Sequence, residues 1–113
     1  MSAITTHILD VSAGVPANGV AVTLERQTLE KGWEMIGEGV TDDDGRLRDL
    51  LSPDAVLKIG NYRLNFETGN YFFDRQIDSF YPQVTIAFTV FDSSHYHVPL
   101  LLSPFGYSTY RGS

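Results

Sequence analysis

Hydrophobic and polar residues alternate along most of this chain, and the alternation predicts short β-strands. The clearest stretch is 62–67, where Tyr, Leu and Phe alternate with Arg, Asn and Glu. The same period of two recurs at 4–9, 20–25 and 84–91. Successive side chains of a strand point to opposite faces, so each stretch predicts a strand with one buried face.

Turn-forming residues separate these stretches. The segment 16–19 (Pro-Ala-Asn-Gly) divides the first two strands, and Asp44-Gly45 predicts a hairpin after the stretch 33–40. Ser103-Pro104 ends an apolar run, and a last strand is expected around 105–111. With about eight short strands, the chain is predicted to be an all-β, two-sheet sandwich.

One stretch, 68–80, departs from the alternation and predicts a short helix. Thr68 is expected to cap this helix, which would run through Phe72 and Arg75. Pro82 would then close the connection to the next strand.

Composition and charge narrow the class of protein. The 113 residues contain no linker, repeat or low-complexity tract, so residues 1–113 are expected to form one domain. A net charge of −6 disfavours nucleic acid or an anionic membrane surface as a partner. The absence of cysteine excludes disulfides, thiolate metal sites and a cysteine nucleophile. We expect a cytoplasmic location, because no leader peptide, spanning apolar segment or peroxisomal address is recognisable.

Several ionisable residues are predicted to share the outer face of one sheet. His7 projects opposite Ile4, Thr6 and Ile8, and Leu9 shares its face. Near the C-terminus one strand face carries four further residues: His95, His97, Pro99 and Leu101. Arg46 and Arg48 share a face after the Asp44-Gly45 turn. An outer face that mixes apolar with ionisable residues indicates that a second subunit covers it.

Simpler interpretations compete with a catalytic one. A single histidine on a strand surface is more often solvated than catalytic. His95 and His97 resemble half of a metal site, which would need a third ligand and an open position. The acidic run 42–44 is expected to be a solvated turn, because Gly45 is misplaced for a calcium loop. From these patterns alone the prediction stops at an oligomeric β-sandwich.

Three segments carry a resemblance to a known family. Residues 5–10 with 14–17 (TTHILD, GVPA) resemble the N-terminal signature of the transthyretin family. Residues 97–113 (HVPLLLSPFGYSTYRGS) resemble its C-terminal signature, and 41–46 (TDDDGR) resembles a turn bearing an active-site arginine. Hormone carriers of this family lack both histidines, the turn arginine and the Arg-Gly-Ser ending. The resemblance is therefore to the hydrolase branch, with carriage of a small hydrophobic ligand as the alternative.

The resemblance implies a homotetramer whose central channel holds the active sites. Members of the hydrolase branch open the six-membered ring of 5-hydroxyisourate, and the resemblance implies neither a metal nor an organic cofactor. The implied catalytic residues are His7, Arg46 and His97. The implied substrate-binding residues are His7, Arg46, Tyr110, Arg111 and Ser113.

The chemistry of these residue types suits amide hydrolysis. A histidine titrates near neutral pH, so His7 is interpreted as the general base and His97 as the orienting or acid group, although the roles could be exchanged. Arg46 would steady negative charge. Ser113, with a free carboxylate, and Arg111 are expected to orient these groups or the substrate. His95 matches no catalytic position of the family and is expected to be solvated or at an interface.

Overall fold

The structure is a computed structural model that describes residues 2–113, and within them it has nine strands and one helix. In chain order the elements are β1 (Ile4–Asp10), β2 (Val15–Pro16), β3 (Ala21–Thr28), β4 (Gly32–Val40), β5 (Arg46–Leu47), β6 (Gly60–Phe66), α1 (Thr68–Asp74), β7 (Val84–Val90), β8 (Tyr96–Ser103) and β9 (Gly106–Thr109). No helix in these residues is long and apolar enough to cross a membrane.

The strands form two sheets, which confirms the predicted sandwich. The first sheet has the order β2-β1-β8-β9, and β5 also pairs with β1. The second has the order β4-β3-β6-β7. β1 and β8 run parallel, whereas the other pairs are antiparallel. The parallel pair brings the two ends of the sequence side by side.

The core lies between the sheets and follows the alternation seen in the sequence. On β1, Ile4 and Ile8 are completely buried, whereas His7 and Leu9 on the opposite face are half-buried. On β6, Leu64 and Phe66 are also completely buried. Burial of such side chains contributes about 1.5–3 kcal/mol each. His7 therefore lies on the outer face of the first sheet, away from the core.

The predicted hairpin at Asp44-Gly45 is wrong, although a turn is present. β5 pairs with β1 of the first sheet, whereas β4 belongs to the second sheet. Gly45 has a φ of +72°, and a β-carbon there would stand 2.5 Å from the carbonyl oxygen of Ile8. Only glycine therefore fits this turn against β1. Non-local contact between Gly45 and β1, rather than local turn chemistry, decides the strand pairing.

The predicted helix is present, but the capping role of Thr68 is wrong. α1 begins at Thr68 with Glu67 in the N-cap position, and it stops before Arg75. The Thr68 hydroxyl is buried and has no hydrogen-bond partner within residues 2–113. Pro82 does close the connection, since its carbonyl accepts a hydrogen bond from the Gly69 N–H at 3.0 Å.

Candidate active site

Three neighbouring strands of the first sheet bring the predicted catalytic residues together. In the register of β1 with β5, His7 lies opposite Arg46. In the register of β1 with β8, Thr5 lies opposite His97. Residues 5 and 7 share a face of β1, so both imidazoles and the guanidinium start from the same outer surface.

A chain of hydrogen bonds joins the histidines. The Nδ1 atom of His7 lies 3.0 Å from the Nε2 atom of His97, and the two rings are nearly parallel, with 12° between their planes. The Nδ1 atom of His97 lies 2.8 Å from the hydroxyl oxygen of Thr5. That oxygen also lies 3.1 Å from the Nε2 atom of His95. Both ring nitrogens of His97 are therefore engaged, and the Nε2 atom of His7 has no partner within residues 2–113.

The surroundings keep both histidines neutral near pH 7. Burial lowers the pKa of His7, and the positive charge of Arg46 lowers it further. Burial also lowers the pKa of His97, with additional contributions from His7, Arg46 and His95. A neutral imidazole can accept a proton, so this environment suits general-base chemistry.

A pocket of about 270 Å³ opens beside this cluster. Its lining residues are Thr5, Thr6, Arg46, Arg48, His95, His97 and Ser113. The side chains that reach it include two arginines and two histidines but neither Asp nor Glu. In a chain with a net charge of −6, this concentration of cationic and donor groups favours an anionic or oxygen-rich ligand. Within residues 2–113 the Arg46 guanidinium makes no hydrogen bond or ion pair, so its donors are available.

The C-terminal segment reaches the site. The Gly112 N–H donates a hydrogen bond to the His97 carbonyl at 2.8 Å, which forms an isolated β-bridge. This bridge brings Ser113 to the pocket. The predicted last strand is shorter than expected, because β9 ends at Thr109. Beyond two unpaired positions, Gly112 resumes the antiparallel pairing with β8 in the same register.

Tyr110 and Arg111 lie apart from this cluster within one protomer. Both line a second pocket of about 300 Å³, between β7 and β9, whose other residues are mainly apolar. The Arg111 guanidinium lies 4.4 Å from the centre of the Tyr96 ring and donates a hydrogen bond to the Ser94 hydroxyl at 3.1 Å. The structure therefore brings His7, Arg46, His97 and Ser113 together but not Tyr110 and Arg111.

Sequence reasoning missed Thr5, Arg48 and His95 as members of the site. His95 is exposed, as expected, but it contacts Thr5 and lines the pocket. The available signal was the shared face of residues 5 and 7, since a threonine beside a histidine can hydrogen-bond to it. Within the described part of the chain, no group of three or more potential ligand residues is placed to hold a metal ion.

Comparison with known proteins decides the family. The sequence profile of the HIUase/Transthyretin family matches residues 4–112. This chain belongs to the HIUase/Transthyretin family. The resemblance carried by both ends of the sequence and by the 41–46 turn is thereby confirmed.

Relatives of this family member include 5-hydroxyisourate hydrolases and a transthyretin. It is 47% identical over 111 residues to 5-hydroxyisourate hydrolase of Salmonella typhimurium, covering 97% of this chain and 80% of that protein. Its fold matches 5-hydroxyisourate hydrolase of Klebsiella pneumoniae with a TM-score of 0.84 and 40% identity, over 97% and 92% of the two chains. It also matches sea bream transthyretin in complex with thyroxine, with a TM-score of 0.91 and 32% identity, over 98% and 95%.

Proposed function

We propose that this protein hydrolyses a ring amide bond of 5-hydroxyisourate, as a cyclic amide hydrolase of urate breakdown. The product is 2-oxo-4-hydroxy-4-carboxy-5-ureidoimidazoline, on the route to allantoin. The observation that carries the proposal is the pair of hydrogen-bonded histidines, with lowered pKa values, beside the Arg46 guanidinium, which has no partner in the described part of the chain. Relatives at 47% identity bear the name of this hydrolase.

The histidine pair supplies proton transfer. Amide hydrolysis needs a base that takes a proton from water and an acid that returns one to the departing nitrogen. His7 is assigned this shuttle, because its Nε2 atom is unengaged within residues 2–113. His97 orients His7 and stabilises the imidazolium that forms, since both of its ring nitrogens hold hydrogen bonds. A positioned base of this kind contributes about 10²–10⁴-fold in rate.

Arg46 binds the substrate and stabilises the developing oxyanion. Its planar fork of donors fits the oxygens of a purine-derived ring. Arg48 lines the same pocket, but its guanidinium also lies 3.5 Å from Asp42. The Gly112 bridge brings Ser113 to the same pocket, which supports its expected role in orienting the substrate.

A homotetramer would complete the site. β7 and β9 are open edges of the two sheets within the described residues, and they flank the second pocket. Unpaired strand edges favour pairing with another copy of the chain. Phe91 and Tyr110 are 58% and 55% exposed beside these edges. In the assembled channel Tyr110 and Arg111 would contact the substrate, which is the role that the resemblance implies for them.

Carriage of a hydrophobic ligand is the second candidate function. The close match to sea bream transthyretin in complex with thyroxine favours it. The composition of the site opposes it, because an arginine and two coupled histidines would be desolvated by an apolar ligand without compensation.

One assay separates these functions. Urate oxidase generates 5-hydroxyisourate in solution, and its ultraviolet decay is followed with and without substoichiometric protein. The proposal requires accelerated decay with many turnovers. Tight thyroxine binding without acceleration would instead support the carrier. Size measurement in solution tests the tetramer, and cell fractionation tests the expected cytoplasmic location.

A further inference from the structure

Thr5 occupies a position between two imidazoles that its strand does not require. It is 3% exposed, on β1, and its hydroxyl oxygen lies 2.8 Å from His97 Nδ1 and 3.1 Å from His95 Nε2. A valine would satisfy a buried strand position equally well. The hydroxyl therefore needs a separate explanation.

Counting protons shows what this hydroxyl can do. A threonine hydroxyl has one proton to donate, whereas a neutral imidazole has one donor and one acceptor nitrogen. The lowered pKa of His97 keeps that ring neutral near pH 7. Because both of its neighbours are histidine nitrogens, the Thr5 hydroxyl can donate to only one of them. It must accept a hydrogen bond from the other for both contacts to be satisfied.

The direction of the Thr5 hydrogen bonds determines which nitrogen of His97, and then which nitrogen of His7, carries the proton. If Thr5 donates to His95, it accepts from a protonated Nδ1 of His97. The Nε2 atom of His97 then accepts from the Nδ1–H of His7, and the Nε2 atom of His7 keeps a free lone pair. If Thr5 donates to His97, every step reverses, and the Nε2 atom of His7 carries a proton. Only the first arrangement offers a base.

We infer that Thr5 is a positioning residue that donates to His95, holds His97 in its Nδ1–H tautomer and thereby leaves the Nε2 atom of His7 unprotonated. The inference rests on the proposed function for its direction. His95 takes part as the acceptor that draws the Thr5 proton away from His97. Thr5 and His95 thus set the protonation of His7 through His97, although neither of them contacts His7.

The kinetic test removes only the hydroxyl. Thr5→Val keeps the shape of the side chain, and we expect kcat to fall at least about tenfold, the lower range of a misplaced proton-transfer group. KM should change much less, because the base rather than the binding contacts is affected. Thr5→Ser restores a hydroxyl and should recover kcat to within about threefold. Thr68→Val, the same change at a buried threonine of α1, should leave kcat unaltered.

The tautomer test is independent of turnover. Nitrogen-15 NMR of the imidazoles distinguishes the two tautomers of each neutral histidine. In the wild type, His97 should be the Nδ1–H form and His7 the form with an unprotonated Nε2. In Thr5→Val, both populations should shift to the opposite tautomers, and in His95→Ala the shift should be smaller.

The outcomes separate the inference from the proposed function. A wild-type protein that fails to accelerate 5-hydroxyisourate decay overturns the function, while the spectra still decide the tautomers. An active wild type with unchanged kcat and tautomers in Thr5→Val overturns the inference alone. A Thr5→Val protein that does not fold leaves the decision to Thr5→Ser and to the wild-type spectrum, in which an Nε2–H tautomer of His97 contradicts it.

Discussion

The Gly112 backbone lies against the imidazole of His97. A β-carbon built on Gly112 would stand 2.7 Å from the Cδ2 atom of the His97 ring, closer than real contacts allow. The two residues also share a backbone hydrogen bond of 2.8 Å. The C-terminal segment thus fixes one side of the histidine that orients His7, and any side chain at position 112 must displace one of the two.

Gly112→Ala should therefore impair catalysis more than folding. The added methyl group pushes His97 away from His7 or expels the segment that carries Ser113. We expect kcat to fall at least about tenfold, because a small displacement of a proton-transfer group is costly. Thermal unfolding should shift little, since the segment contributes little to the core. Gly14→Ala is the control for activity only, because a β-carbon there meets no atom within 4 Å, although its φ of +69° makes the substitution costly for stability. Wild-type kcat in Gly112→Ala would show that the contact relaxes without consequence.

The bond between Tyr71 and Asp10 should stabilise the fold in a pH-dependent way. The Tyr71 hydroxyl donates to the buried Asp10 carboxylate at 2.8 Å. Burial alone would raise the pKa of Asp10, but hydrogen bonds from Ser12, Tyr71 and Ala13 lower it below 3.8. Tyr71→Phe should reduce the free energy of unfolding at pH 7 by about 1.5–3 kcal/mol, the range for hydrogen bonds to charged groups.

The sign of the pH dependence follows from that lowered pKa. The stabilisation is complete above 3.8, the ordinary value, and is lost as the pH falls through the folded-state pKa of Asp10. Urea unfolding of the wild type and Tyr71→Phe from pH 7 to pH 2 should thus converge at low pH. A difference that grows on acidification would contradict the assignment.

Arg46 should control the pH profile as well as the rate. Burial and then the charge of Arg46 lower the pKa of His7 below 6.5, so kcat/KM in the wild type should rise with pH along a limb below 6.5. Arg46→Gln should lower kcat/KM at least about tenfold and move this limb to higher pH. Arg26→Gln, on β3 of the other sheet, should change neither. An unmoved limb in Arg46→Gln would remove Arg46 from the electrostatics of His7.

Thr68→Val should stabilise the protein. The Thr68 hydroxyl is buried without a partner within residues 2–113, which costs about 1–3 kcal/mol. Replacing it should raise the free energy of unfolding by about 1 kcal/mol. Thr41→Val is the matched control, because the Thr41 hydroxyl donates to Ala17 at 2.8 Å and accepts from Val20 at 2.9 Å. That variant should be destabilised, and equal losses in both variants would mean that Thr68 has a partner.

The strands were predictable because their signal is local. The alternation of hydrophobic and polar residues along β1, β6 or β7 can be recognised from adjacent residues, without knowing which strands pair. The pairing of β5 was not predictable from the turn, because it depends on the approach of Gly45 to Ile8, 37 residues earlier in the chain. The capping prediction for α1 was wrong for a related reason. Packing buries the Thr68 side chain inside the first turn of the helix, and Glu67 occupies the N-cap position instead.

The site was predictable only in part. The alternation along the strands predicted that His7, Arg46 and His97 lie on outer faces. Only the resemblance to the family predicted that the three residues share one active site. Thr5 escaped notice because its two partners lie 90 and 92 positions away, and a polar residue on a strand face carries no signal by itself. The substrate-binding roles of Tyr110 and Arg111 stay predictions, because within one protomer both residues line the second pocket, apart from the histidine cluster.

The most direct test of the account is the decay rate of 5-hydroxyisourate with His7→Ala, His97→Ala and the double variant. Residues that act as one unit lose most of their effect with the first substitution. We therefore predict acceleration by the wild type, a loss of at least about tenfold in each single variant, and little further loss in the double variant. Single variants that keep the wild-type rate, or a wild type that leaves the decay unchanged, would contradict the claim that this histidine pair catalyses the hydrolysis.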